Sequence, residues 1–261
     1  MKLLSINVSL PKEIPFKGKT VRTGIFKEPV EGRVKVETLN IEGDGQADLV
    51  GHGGEFRGVY VYSFDNYDYW ERELRRTDFP YGQFGENFTV EGMLDADVHV
   101  GDIFRIGTVL FEVTQPRVPC YKLAMKMGVE GFYSQILKSG RLGFYFRVLE
   151  EGEVAAGDMI ERISVDPAGM TILQVNKLMY YDKEDFDGAR DALRIKALSP
   201  GWRVTFEGRL AKARSGTSTQ EKYRSYIVER KVPESETITS FYLVPEDGKP
   251  LAPFCRASFY P

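Results

Sequence analysis

The chain has 261 residues, 42% of them hydrophobic and 28% charged, with a formal net charge of −3. That length can bury a sizeable core and fits one main domain with an appendage, while a mean hydropathy of −0.31 speaks against an integral membrane protein. The acidic balance gives no field that would draw a nucleic-acid polymer, and two distant cysteines, Cys120 and Cys255, make no disulfide framework and fit a reducing, cytoplasmic compartment.

The N-terminal MKLLSINVSLPKEI meets Pro11 and acidic residues too soon for a signal peptide and reads as a first strand. Up to about residue 165 follow short segments rich in Val, Ile, Phe and Tyr: GRVKVETLNI, GVYVYS, NFTVEG, IFRIGTVLFEVTQ, FYFRVLEEG and DMIERIS, separated by turns such as GDGQ and EEGE. This pattern predicts a mostly β barrel or sandwich. Two helical patterns interrupt it, FDNYDYWERELRR and LAMKMGVEGFYSQILKSG, each placed to cap the barrel. After Asp166-Pro167 the pattern turns helical in MTILQVNKLMYY, KEDFDGARDALRI and SPGWRVTFEGRLAKAR, with Ser199 as N-cap and Pro200 at the first helical position. Three short helices bury too little surface to stand alone, so the unit is expected to dock on the barrel or on a partner. From Ser215 a polar linker leads to a strand-like ITSFYLVP.

One cysteine stands in charged company. In QPRVPCYKL, Cys120 lies between Arg117 and Lys122, and nearby cations favour the thiolate, the form that acts as nucleophile or metal ligand. Pro119 forces the chain out of the preceding strand, so the thiol is expected on a rigid turn entering a helix whose dipole favours the thiolate further. A buried apolar cysteine at a barrel rim fits the same local pattern. Elsewhere, DGQADLVGHGGEFRGVYVYS holds a glycine-rich turn with His52 and Arg57, TGIFKEPV offers Thr23 and Lys27, and FGENFTVEG carries Glu86 and Asn87. Glycines let a backbone approach an anion, and arginine supplies a planar fork for phosphate. Each piece taken alone fits a hairpin, a solvated strand edge or a turn equally well.

Their order along the chain is more specific. TGIFKEPV, LNIEGDGQAD, GHGG, FGENFTVEG, QPRVPCYKL and SGRLGFYFRVLEEGEVAAGD together closely resemble the MOSC family, the domain named for the C-terminus of molybdenum cofactor sulfurases, in its YiiM type. The resemblance runs to about residue 210, because the helical segment resembles the three-helix domain of that type. It implies a mostly β fold: a MOSC β-barrel with flanking helices over residues 1–166, a small all-α three-helix domain over 167–213, and a linker and tail over 214–261. It further implies the molybdenum cofactor, a pterin dithiolene phosphate, with Cys120 as the protein ligand of the metal and as catalytic residue. Thr23, Lys27, His52, Arg57, Asn87 and Arg117 become candidates for holding the pterin and its phosphate. One departure stands out: where relatives follow HGG with an Asp-Lys pair, this chain has Phe56 and Arg57, and Arg and Lys are not interchangeable at an anion site.

The activity so implied is reduction of N-hydroxylated compounds, such as hydroxylaminopurines and amidoximes, to amines or amidines. Electrons would come from a separate reductase, and Glu86 or a nearby acid would relay protons. Tyr121 and Tyr145 would flank a flat substrate or simply fill the barrel. Pyridoxal phosphate binding is a further family-level attribution. The tail, ERKVPESETITSFYLVPEDGKPLAPF, resembles the opening of a ferredoxin-reductase-type flavin barrel that stops short, which implies a truncated remnant, no bound flavin, a loosely packed tail and an incidental Cys255. Two other readings stay open: a sulfur carrier with a persulfide on Cys120, and a non-catalytic module that binds a partner through the three-helix unit. Zinc is disfavoured because His52, His99 and the cysteines lack paired ligand spacing, and a cysteine hydrolase because no oxyanion element is identifiable.

Overall fold

The computed structural model describes residues 1–48, 53–214, 226–233 and 239–246. Up to residue 164 its strands are β1 (Lys2–Val8), β2 (Lys12–Phe16), β3 (Lys19–Thr23), β4 (Glu28–Val30), β5 (Arg33–Glu37), β6 (Asn40–Ile41), β7 (Val59–Ser63), β8 (Phe88–Glu91), β9 (Ile103–Ile106), β10 (Val109–Pro116), β11 (Phe144–Glu150), β12 (Gly152–Ala155) and β13 (Ile160–Ser164). The helices are α1 (Asp65–Leu74), α2 (Tyr121–Met127), α3 (Phe132–Ser139), α4 (Ile172–Tyr180), α5 (Phe186–Ala192) and α6 (Pro200–Arg214).

Eight strands form one sheet in the order β13-β9-β10-β11-β7-β8-β1-β4, antiparallel except for the β7–β8 pair. Alternation decides which face is apolar: in β10, Val109, Phe111 and Val113 are buried while Leu110 and Glu112 are half-buried. The β10 ring of Phe111 stacks on Phe146 of β11 with centroids 4.9 Å apart. The sheet curls back on itself, since Leu3 N–H donates to Asp158 C=O at 2.9 Å and Ile160 N–H to Met1 C=O at 3.0 Å, joining the approach to β13 to β1. A smaller sheet, β12-β5-β6, packs Val34, Val36, Ile41 and Val154 into the same core.

Helices α4, α5 and α6 share that core. Thr171 and Gln174 close a capping box on α4, and the Asp185 carboxylate accepts the Gly188 N–H at the start of α5. Ile172, Val175, Ala189, Ala192, Trp202 and Phe206 join one apolar cluster with Phe104, Phe111 and Phe146 of the sheet. The predicted docking of the helical unit is therefore onto the sheet.

Three predicted elements differ. The single helical pattern over LAMKMGVEGFYSQILKSG is two helices, because Gly128 caps α2 at φ 66 and Gly131 precedes α3 at φ 73, both left-handed. The β2–β3 hairpin has no counterpart among the predicted strands: its apolar positions are few, Ile14, Phe16 and Val21, and Pro15 sits inside a strand. Its turn, Lys17-Gly18, takes φ 49 and 75, the pair of positive angles a tight hairpin needs. A second compact unit spans Ala211–Pro261. There, the predicted strand ITSFYLVP becomes β15 (Thr239–Pro245), but it pairs with a strand, β14 (Tyr226–Pro233), that the sequence pattern left out. Arg230 lies 4.0 Å over the Tyr242 ring in that pair. Cys255 and the end of the tail lie outside the described residues.

Candidate functional site

Strand β10 ends at Pro116, and four residues later Cys120 is the N-cap of α2, extended at φ −130, ψ 169, with its C=O accepting from Leu123 N–H at 3.0 Å. The cysteine thus lies on a turn entering a helix, as the spacing of Pro119 predicts. It is half-buried.

Arg117, on the same turn, is anchored by its backbone N–H, which donates to Gly143 C=O at 3.0 Å. That turn is held in turn by Asp95, whose Oδ1 accepts from Leu142 N–H at 3.0 Å and Gly143 N–H at 2.8 Å. Burial pushes the Asp95 carboxyl up to about 6, against the two backbone donors. The Arg117 guanidinium is buried, lies 4.9 Å over the Tyr60 ring, and forms no ion pair with a carboxylate among the described residues. Its Nη1 has no hydrogen-bond partner there either. The titratable groups nearest it are the phenols of Tyr60 and Tyr145 and the Cys120 thiol. Burial raises both phenols, which therefore stay neutral.

The facing wall comes from the loop after β3 and the turn after β6. Lys27 Nζ and Asp44 Oδ1 form a buried ion pair. Asp44 also accepts from Ser9 N–H at 2.9 Å and from Asn87 Nδ2 at 2.8 Å, while Asn87 Oδ1 accepts from Tyr60 N–H at 3.1 Å. Burial pulls the Lys27 ammonium down and Asp44 opposes that pull. A Cβ on Gly24 would stand 2.5 Å from Gly45 C=O, so only glycine lets the two loops meet here.

Thr23, Lys27, Arg57, Asn87, Arg117 and Cys120 all line one pocket, together with Lys122 and Tyr145. His52 lies outside the described residues. Asp44, Gln46 and Tyr60 also line it and were not singled out as residues from the sequence; Asp44 and Gln46 lie in LNIEGDGQAD, which counted only as a turn and as one of the ordered motifs. Glu86 is not among the lining residues. Its oxygens accept from Gly82 N–H at 3.0 Å, Phe84 N–H at 2.9 Å, Thr89 hydroxyl at 2.9 Å and the Tyr67 hydroxyl, so it braces a buried loop. Of the two tyrosines, Tyr145 lines the pocket and Tyr121 is exposed.

Comparison with known proteins matches residues 48–161 to the MOSC domain and residues 170–213 to the YiiM-like 3-alpha helix domain. Relatives include the uncharacterized protein YflK of Bacillus subtilis, 41% identical over 78% of this chain and 92% of that protein. Protein YiiM of Escherichia coli is 32% identical over 72% of this chain and 84% of its own length. The chain belongs to the MOSC family, in its YiiM type. The crystal structure of YiiM from Geobacillus stearothermophilus superposes with a TM-score of 0.69 at 33% identity, covering 80% of this chain and 98% of that one. A Gibberella moniliformis protein named reductase is 38% identical over 109 residues, which is 41% of this chain and 19% of that protein.

The MOSC family is associated with the molybdenum cofactor, and the pocket residues fit such a group. A buried guanidinium with an unpartnered Nη1 is costly without an anion to meet it. A half-buried thiol is the soft donor a metal of this kind takes. Among the described residues no three His, Cys, Asp or Glu side chains converge. Pyridoxal phosphate gains no support from these relatives. No helix of the described residues is long and apolar enough to cross a membrane.

Proposed function

We propose that this MOSC protein is a cytoplasmic molybdenum-cofactor enzyme that reduces N-hydroxylated compounds, hydroxylaminopurines and amidoximes among them, with electrons from a separate reductase. The observation that carries the reading is the pairing of the Cys120 thiol with the carboxylate-free Arg117 guanidinium in one pocket. When bound, the cofactor supplies two electrons which, with two protons, convert N–OH to N–H and release water. In this reading Cys120 is the metal's protein ligand. Arg117 and Arg57 meet the anionic part of the cofactor with planar forks. Lys27, its charge balanced by Asp44, gives directed hydrogen bonds rather than net attraction, and Thr23 and Asn87 add neutral donors. His52 completes the set. Buried Tyr60 and half-buried Tyr145, both neutral and packed ring to ring at 5.5 Å, give the pocket an aromatic wall on which a flat ring could rest. The domain assignment that goes with this reading is 1–166 for the MOSC domain, 167–213 for the three-helix domain and 214–261 for a linker and reductase-like segment.

The test is the molybdenum-to-protein ratio of wild type and Cys120→Ala, purified from a host that makes the cofactor. Near-stoichiometric metal in wild type and its loss in the variant is the expected result. A persulfide on Cys120 in metal-free wild type would sink the reading and favour the sulfur carrier.

A further inference from the structure

The β2–β3 hairpin departs from the charge balance of the chain around it. It carries Lys12, Lys17, Lys19 and Arg22 against Glu13 alone, a net +3 in a chain of −3. All five side chains are exposed. The hairpin is its own two-stranded sheet, with Ile14, Phe16 and Val21 only half-buried, and such a pair is marginal in water unless something covers it.

Two contacts set it along α2, the helix that Cys120 caps. Lys122 Nζ donates to Arg22 C=O at 3.1 Å, and Lys17 Nζ lies 3.7 Å from Glu130 beyond the far end of that helix. Thr23 and Lys122 line the pocket, so the hairpin's base is at the pocket and its turn reaches away from it. Helix α2 adds Lys122 and no acid, while its Lys126 is half-buried and turns inward, donating to Ile25 C=O at 2.9 Å and to Gly82 C=O. The ion pairs that exist, Lys12–Glu28 at 3.6 Å and Lys17–Glu130 at 3.7 Å, are long, and their carboxylates are 80% and 95% exposed. With Glu28 and Glu130 counted beside Glu13 against Lys12, Lys17, Lys19, Arg22 and Lys122, the surface keeps a net charge of +2. Lys19 and Arg22 form no ion pair among the described residues.

The result is a cationic ridge leading to the pocket. Strands of five residues extend roughly 16 Å, longer than one phosphate or carboxylate can use, whereas the acidic face of a protein matches that length. Electron transfer weakens steeply with distance, so a donor must approach at the pocket's mouth. We infer that the β2–β3 hairpin and α2 form the docking surface for an acidic electron-transfer protein, carrying flavin or iron–sulfur, that feeds the site. This rests on the reductase reading above. Two electrons are needed, one from each of two successively docked donor molecules where the carrier holds a single electron, as N–OH takes two protons, becomes N–H and releases water.

The test compares wild type with a Lys17→Glu/Lys19→Glu double variant, neither residue being part of the pocket. Reduction of an amidoxime is driven in parallel by reduced methyl viologen and by two acidic proteins, reduced flavodoxin and reduced ferredoxin. The expected result is a fall of about tenfold or more in kcat/KM for the protein donor, carried by its KM, with the viologen-driven rate unchanged. Raising salt from roughly 50 to 300 mM should slow the wild type with the protein donor and barely change the variant. A variant that keeps its protein-driven rate overturns the inference. So does an equal loss with viologen, which would assign the hairpin to the pocket or the fold. So does a wild type that turns over with viologen and accepts neither protein. Absence of viologen-driven turnover in cofactor-loaded wild type is the separate signature of failure of the reductase reading itself, and the inference falls with it.

Discussion

The apolar core of the sheet and the pocket at the end of β10 are built from the same strands but bury opposite chemistry. In the core, Phe104, Phe111 and Phe146 are fully buried among Val and Ile side chains. Around the pocket, Asp44, Asp95, Asn87 and Arg117 are buried beside Tyr60, and one of their polar atoms, Arg117 Nη1, goes unmet. A core gains from every atom removed from water; a site keeps buried polar groups at some cost so that a ligand finds them already oriented.

Substitutions should separate the two. Phe111→Ala removes a ring that touches Phe88 and Phe146 and should destabilise the fold by about 3–5 kcal/mol in urea unfolding. An effect below about 1 kcal/mol would mean the core is not as tightly packed as these contacts imply.

Asp95→Asn probes the support behind the pocket. Both backbone donors reach Oδ1, which an asparagine keeps, while the buried charge goes. Because the folded carboxyl is raised to about 6, the native state holds its proton longer than the unfolded chain. This group's contribution is therefore favourable at low pH and is lost as pH rises toward and past 6, by about 3 kcal/mol. The variant should lack that decline, so that wild type minus variant stability falls between pH 4 and 7. A flat difference would refute the raised value.

The smallest effect on stability is expected at the pocket itself. Arg117→Met removes a buried cation without a carboxylate partner and should leave stability within about 1 kcal/mol of wild type. Added phosphate should raise the unfolding midpoint of wild type and not of the variant. Equal stabilisation of both would detach Arg117 from anion binding.

Much of this molecule was legible in its sequence. Alternation in IFRIGTVLFEVTQ and FYFRVLEEG fixed which side chains face inward, and Pro119-Cys120 announced a strand end leading into a helix, because these depend on neighbours one to four residues apart. The break between α2 and α3 was also local, carried by Gly128 and Gly131, but a continuous apolar pattern masked it. The β2–β3 hairpin escaped notice because its turn uses Lys-Gly and its strands bury almost nothing.

What the tertiary structure alone decided is how the pieces meet. Lys27 meets Asp44 across 17 residues, Asn87 meets Asp44 across 43, and Arg117 receives its backbone acceptor from Gly143. No local pattern encodes such distances, since they follow from the order of strands in the sheet. Glu86 makes the contrast plain: it sits in the same motif as Asn87, directly before it in the bend that leads into β8. One lines the pocket while the other is sealed into the loop behind it. The sequence could offer both as candidates, and only the packed sheet separated them.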